Sequence, residues 1–327
     1  MARVFTRGGW GIILTALTVL VFLLAAVAFF GGRERKTEES PPPLAEVRLQ
    51  FERLPPNRSS HYELWERSPS GGEQRMGGFR VLEGGSIVSL AGDPTSTLSA
   101  PELPPAGTEL LLTLEAGDTL AEQRSERVLL RGVLKTTEAD LVSELPKIPK
   151  GQVAILSTPT EEDAPATTKV PASAGIWFAK KGAKKGTPAP GLSVPALPTG
   201  WVYGGWVVTG ADTVLPTGLF PSPKAADRHA PYSGTGAGWK LPGEDFLRDA
   251  PEGLKFPLNL ADGRTEVIVS LEPDVGSTND HPEPFLPLLT ARIRYRQAPN
   301  EPFTLSPVEK DAMPRGHVVI EPKSSGE

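Results

Sequence analysis

The stretch Tyr62-Glu63-Leu64-Trp65, followed by Gly77-Gly78-Phe79, returns later as Tyr203-Gly204-Gly205-Trp206, followed by Gly218-Leu219-Phe220. Tyr precedes Trp by three residues in both copies, and Trp precedes Phe by fourteen in both. Each copy is followed by an apolar run that closes on an acid, Leu110–Glu115 and Val267–Glu272. The second copy carries an insertion between these landmarks, holding Pro242-Gly243-Glu244-Asp245-Phe246. One Tyr/Trp pair buries enough apolar area to nucleate a small sheet core. The glycines before Phe79 and Phe220 permit the return of a hairpin's second strand. The repeat therefore predicts a tandem duplication of two antiparallel β-sandwich-like modules.

The surrounding sequence agrees with a mainly β fold. The 327 residues include 34 glycines and 35 prolines, about a fifth of the chain, too many for long helices. Alternating runs read as strands at Val47–Phe51, Tyr62–Trp65, Gly78–Leu82, Ser86–Leu90, Glu109–Glu115, Arg127–Leu134, Gly151–Ser157 and Gly175–Ala179. Gly71-Gly72, Gly84-Gly85 and Gly92-Asp93-Pro94 punctuate them as turns. Thr158–Pro171 and Lys180–Pro190 read as loops. The second holds Lys180, Lys181, Lys184 and Lys185, for which a solvated loop is preferred over an anion-binding surface.

Trp10–Phe30 is uncharged and almost continuously apolar. Its 21 residues would span roughly 31 Å as a helix, close to the thickness of a bilayer's hydrocarbon. It is longer than the apolar region of a signal peptide, although Ala26-Val27-Ala28 imitates a cleavage site. The expectation is an uncleaved, single-pass anchor in the plasma membrane. Residues 1–9 would lie in the cytoplasm, 10–30 in the bilayer and 31–45 in a juxtamembrane linker. The first β module would occupy 46–150, the second 151–298, and a C-terminal tail 299–327. Both modules would then be extracytoplasmic.

Composition excludes several chemistries. The chain has no cysteine, so disulfides, thiolate metal sites and a cysteine nucleophile are ruled out. An extracytoplasmic chain without cysteine suggests a bacterial source. Its four histidines form no metal-ligand spacing, and no metal or cofactor is expected. With a net charge of −5 and mixed signs, it offers no basic field for nucleic acid. Glu244 and Asp245 are the best acid pair. Neighbours on a strand face opposite ways, so turn-capping is preferred over a glycosidase-like role. Asp274, Asn279 and Asp280 read as a plain turn and not a calcium loop. Gly234–Gly238 lacks the following helix that a nucleotide loop needs. Asn57-Arg58-Ser59 fits a glycosylation acceptor only as a pattern common by chance. Trp177, Trp201, Tyr203 and Trp206, with Glu244 and Asp245, are a possible binding surface, although for the aromatics sandwich core is preferred, since strand alternation would bury at least half of them.

Several segments resemble the C-terminal, extracytoplasmic domain of bacterial anti-sigma-K factors. They are Gly175–Phe178, Leu197–Val208, Thr217–Phe220, Pro242–Phe246 and Val269–Pro273, with weaker matches at Tyr62–Trp65 and Leu112–Asp118. The resemblance covers roughly residues 46 to 295. It implies a β-sandwich on the outer face of a membrane, held by one helix, with no catalytic residues. The family's Tyr-Glu-Gly-Trp is Tyr203-Gly204-Gly205-Trp206 here. Nine residues before the apolar segment leave no room for the family's sigma-binding domain. The expected function is therefore non-enzymatic binding of a protein or envelope component at the membrane. The alternatives are a sigma-signalling sensor whose cytoplasmic part is a separate protein, and an envelope hydrolase using Glu244 or Asp245.

Overall fold

The computed structural model describes residues 45–323, apart from 58, 144, 146–147, 158–168, 185–186, 230, 234–238, 275–282 and 310–311. The chain divides into Met1–Pro42 and Pro43–Glu327. The first unit, with the apolar segment, lies outside the described residues. Among the described residues no helix is long and apolar enough to cross a membrane.

Alternation builds the second unit. In β1 (Ala45–Glu52), Val47 and Leu49 point inward while Arg48 and Gln50 face solvent. The first repeat continues through β2 (Ser60–Arg67), β3 (Glu73–Val81), β4 (Ile87–Val88), β5 (Thr97–Ala100), β6 (Glu109–Ala116), β7 (Val128–Val133) and β8 (Glu138–Val142). Next come β9 (Gln152–Ser157), β10 (Gly175–Trp177), β11 (Ala179–Lys181) and β12 (Pro188–Pro190). The second repeat's landmarks lie on β13 (Trp201–Val208), β14 (Val214–Phe220), β15 (Gly243–Asp245) and β16 (Glu266–Pro273). The chain ends with β17 (Leu286–Arg292), β18 (Phe303–Pro307) and β19 (Arg315–Pro322).

Two large curled sheets result. One runs β4-β3-β2-β6-β7-β8-β19-β1-β5, the other β14-β13-β16-β17-β18-β9-β10-β15. In the first, β3 and β5 approach each other from opposite ends of the order. A separate ribbon pairs β11 with β12.

The duplication is visible in the register. Tyr62 pairs with Phe79 and Leu64 with Gly77, as Tyr203 pairs with Phe220 and Gly205 with Gly218. A bulge follows in each repeat, before Trp65 and before Trp206. Gly77 (φ 148°) and Gly218 (φ 129°) hold the backbone there in a region that other residues rarely adopt. A second bulge recurs between Leu112 and Thr113 and between Val269 and Ser270. Each tyrosine hydroxyl donates to a proline carbonyl upstream, Tyr62 to Pro55 at 2.8 Å and Tyr203 to Pro195 at 2.7 Å.

The topology corrects the expected division of the chain. Residues 299–327 are not a tail: β18 belongs to the second sheet, and β19 lies between β8 and β1 in the first. In the second sheet β9 takes the matching place, between β18 and β10. The strand that follows repeat one thus completes sheet two, and the strand that follows repeat two completes sheet one. One contiguous apolar core accordingly includes residues of both repeats, from Ala45 to Ile320.

Candidate functional site

The aromatic residues singled out from the sequence are interior. β13 is flanked by β14 and β16, and Trp201, Tyr203 and Trp206 are at most 5% exposed. Trp201 packs on Phe285 at 5.7 Å between ring centroids, and Tyr203 on Phe220 at 5.8 Å. They therefore form core instead of a binding surface, because β13 has a sheet neighbour on each side and covered faces. Trp177 is set apart. It lies outside the main core, in a small cluster with Ile155, Ala179 and Leu241, and packs at 5.4 Å on the half-buried Trp239.

Glu244 and Asp245 diverge across β15. Glu244, opposite Ile176, is fully buried. It accepts from the Ser233 hydroxyl, from the Tyr232 amide at 3.2 Å and from the Asp245 amide at 3.0 Å. Asp245, opposite Gly175, accepts from Trp177 Nε1 at 3.1 Å and from the Ser157 hydroxyl at 3.2 Å. Neither caps the turn at Pro242-Gly243 as expected. Glu244 fixes the loop before it, while Asp245 ties β15 to β9 and β10.

A third acid, Asp227, completes this corner and carried no sequence signal. Its Oδ2 accepts the Gly243 amide at 3.0 Å. Burial raises the pKa of Asp227 to about 7. Burial, with the Asp227 charge adding to it, raises Glu244 to about 8 against the pull of its hydrogen-bond donors. The two carboxyls thus titrate near neutrality, Glu244 on β15 and Asp227 on the loop between β14 and β15.

Each repeat also buries polar groups on the outer face of its central strands. Glu272 accepts from the Ser270 hydroxyl and from the Phe285 amide at 3.0 Å, and burial lifts its pKa to about 8. At the matching place Glu115 accepts from the Thr113 hydroxyl at 2.7 Å and from the Ser125 amide at 3.0 Å. Both acids hold a segment that crosses the outside of their sheet. In the first repeat His61 and Glu63 join them, two residues apart on β2 and so on one face. His61 Nε2 lies 2.9 Å from Glu63 Oε1, and its Nδ1 lies 2.9 Å from the Gly117 carbonyl. An acceptor faces each ring nitrogen, an arrangement that favours the imidazolium over a neutral ring. Burial opposes that charge, but Glu63, the Gly117 carbonyl and Glu115 outweigh it and raise the His61 pKa. Glu63 also accepts the Ala121 amide at 2.7 Å. The i, i+2 spacing of His61 and Glu63 was the available signal for this cluster.

A cleft of about 240 Å³ lies where β7 meets Pro198 and Thr199, between Arg124, Arg131 and Leu145. Arg124 and Arg131 already pair with Glu73 and Glu109. Of the remaining candidates, Asp274 pairs with Arg228, and Asn57 Oδ1 accepts the Val81 amide at 2.9 Å. Arg58, Gly234–Gly238, Asn279 and Asp280 lie outside the described residues. No group of three or more acids, histidines or cysteines suited to a metal ion occurs among the described residues.

Comparison with protein-family models, curated proteins and solved structures found no match to this chain.

Proposed function

We propose that this chain is a membrane-tethered, extracytoplasmic protein that acts by contact and not by catalysis. The observation that carries the reading is what the interior acids do. Glu115, Glu244 and Glu272 each accept from a backbone amide and a hydroxyl, fixing loops on the body. The 21-residue apolar segment Trp10–Phe30 supplies the single-span anchor, with the N-terminus inside the cell. The repeats, each a curled sheet completed by the strand that follows the other repeat, form one β body comparable to the outer domain of anti-sigma-K factors. The partner is a protein or another envelope component.

Alkaline carbonate extraction with protease protection tests the anchor. The full chain should stay in the membrane fraction, with residues 43–327 digested only from the extracytoplasmic side. Release by carbonate, or protection on that side, overturns the reading.

A second reading, hydrolysis, is favoured by one observation: Asp227 and Glu244 are neighbouring acids with pKa values near neutrality, the pattern of acid–base sites. Against it, Glu244 has no exposed surface in this conformation. Loss of hydrolysis of envelope polysaccharide in Glu244→Gln and Asp227→Asn, with the fold intact, would establish this reading.

A further inference from the structure

The lysine-bearing segment that reads as a loop is a two-stranded ribbon. Lys180 pairs with Ala189 and Lys181 with Pro188, and the Gly182 amide donates to Thr187 O at 2.9 Å. Pro188 and Pro190 leave β12 short of amide donors, which keeps further strands from adding there. Lys180, Lys181 and Lys184 are exposed and make no ion pair with a described residue. At the base of the ribbon, Ala179 joins Trp177, Trp239, Ile155 and Leu241 in the apolar cluster outside the core. Trp239 is only half-buried, and the next residue, Lys240, is exposed and likewise makes no ion pair with a described residue. The nearby acid Asp245 is engaged by Trp177 and Ser157.

Three exposed lysines on a ribbon whose base shares a cluster with the half-exposed Trp239, and a fourth next to Trp239 in sequence, have no ion-pair partner among the described residues, and on a chain of net charge −5 they form a local reversal of sign. The combination suits a phospholipid surface, where lysines meet headgroup phosphates and an indole settles at the interface. We propose that this patch docks the body onto an anionic bilayer. The inference rests on the proposed tether in one respect: an anchor at residues 10–30 keeps the bilayer within reach.

The test uses the body Pro43–Glu327, which holds both partners of every strand pairing among the described residues. It is sedimented with vesicles of phosphatidylcholine, or of equal parts phosphatidylcholine and phosphatidylglycerol. Binding should require phosphatidylglycerol and weaken with salt, and brominated acyl chains should quench fluorescence in the native protein but not in Trp239→Phe. Lys180→Glu with Lys181→Glu should weaken binding at least about tenfold. Lys184→Glu with Lys240→Glu should act similarly, and all variants should keep the parent circular dichroism. No binding to the anionic vesicles, or equal binding by the charge-reversed variants, overturns the proposal. So does binding to inorganic polyphosphate as tight as to vesicles with no quenching by brominated lipid. The body lacks the apolar segment, so its failure here leaves the tether standing. Failure of carbonate extraction to retain the full chain would likewise leave this surface untouched.

Discussion

Positions 63 and 204 are the same place in the two repeats, yet one is glutamate and the other glycine. A Cβ at Gly204 would sit 2.7 Å from Glu272 Cγ and 3.0 Å from Trp206 Nε1. The indole of Trp206 occupies that space and donates to the Ser270 hydroxyl at 2.8 Å. In the first repeat Glu63 fills the site. Trp65 there lies under the Arg75 guanidinium at 5.7 Å, its Nε1 without a hydrogen-bond partner among the described residues. Gly204→Ala should therefore destabilise the protein by about 1–3 kcal/mol in denaturant titration, since a fully packed site has no room for a methyl group. An unchanged midpoint would refute the exchange of Glu63 for an inward Trp206.

The buried titrating groups share a sign. Asp227, Glu244 and Glu272 have folded pKa values of about 7 to 8, well above those of the unfolded chain. Between roughly pH 4 and 8 the unfolded chain gives up these protons first, so stability falls as pH rises. His61, with its folded pKa raised, acts in the same direction from pH ~6.5 upward. Glu73 and Asp262, whose pKa values are lowered, titrate below this window. Thermal unfolding should therefore give a Tm at least about 5 °C lower at pH 8.5 than at pH 5. The double variant Glu244→Gln, Glu272→Gln should flatten that slope. A flat or rising profile in the parent protein would contradict this account.

Among the elements, β19 has a role that local sequence conceals. Val318 and Ile320 are fully buried between neighbours more than 170 residues away in sequence, β8 on one side and β1 on the other. Ile320→Ala should cost about 2–5 kcal/mol. Ending the chain at Val308 should abolish soluble expression, because two buried strand edges would lose their ladder. Soluble, folded protein from that truncation would show the strand to be dispensable.

The strands that sequence revealed were those that alternate or repeat. β1, β2, β6 and β7 show apolar spacing, and β13, β14 and β16 show the duplicated Tyr, Trp and Phe. β3, β4, β9 and β10 were also read as strands, and most of the remainder were hidden for physical reasons. β5, β8 and β18 are four or five residues long, too short for a period to register. β12 is mostly proline. Val318-Val319-Ile320 was visible as an apolar run, but pairing partners that distant leave no local trace. The acidic corner was half legible. Glu244 and Asp245 stood out as a pair, whereas Asp227 enters only through the fold of its loop. The aromatic cluster was legible as a group, but whether it faced out or in depended on β13 being flanked on both sides.

For the molecule as a whole, reciprocal completion of the two sheets makes the repeats a single cooperative unit. Denaturant unfolding of residues 43–327 should follow one transition in both tryptophan fluorescence and circular dichroism. Two separated transitions would mean that the repeats are independent. Fragments 43–157 and 158–327 should each fail to fold alone, since each would hold the other's completing strand. Mixed during refolding, they should form a one-to-one complex with the parent spectrum.

Synthesis runs from the N-terminus, and this imposes an order on events. The gap between β1 and β19 is more than 260 residues, roughly 13–50 s of translation at ordinary rates. Throughout that interval the earliest-made half stands open along the edges of β1 and β8. Its safe passage depends on how quickly the codons between β1 and β19 are read, and on whatever shields those edges in the meantime.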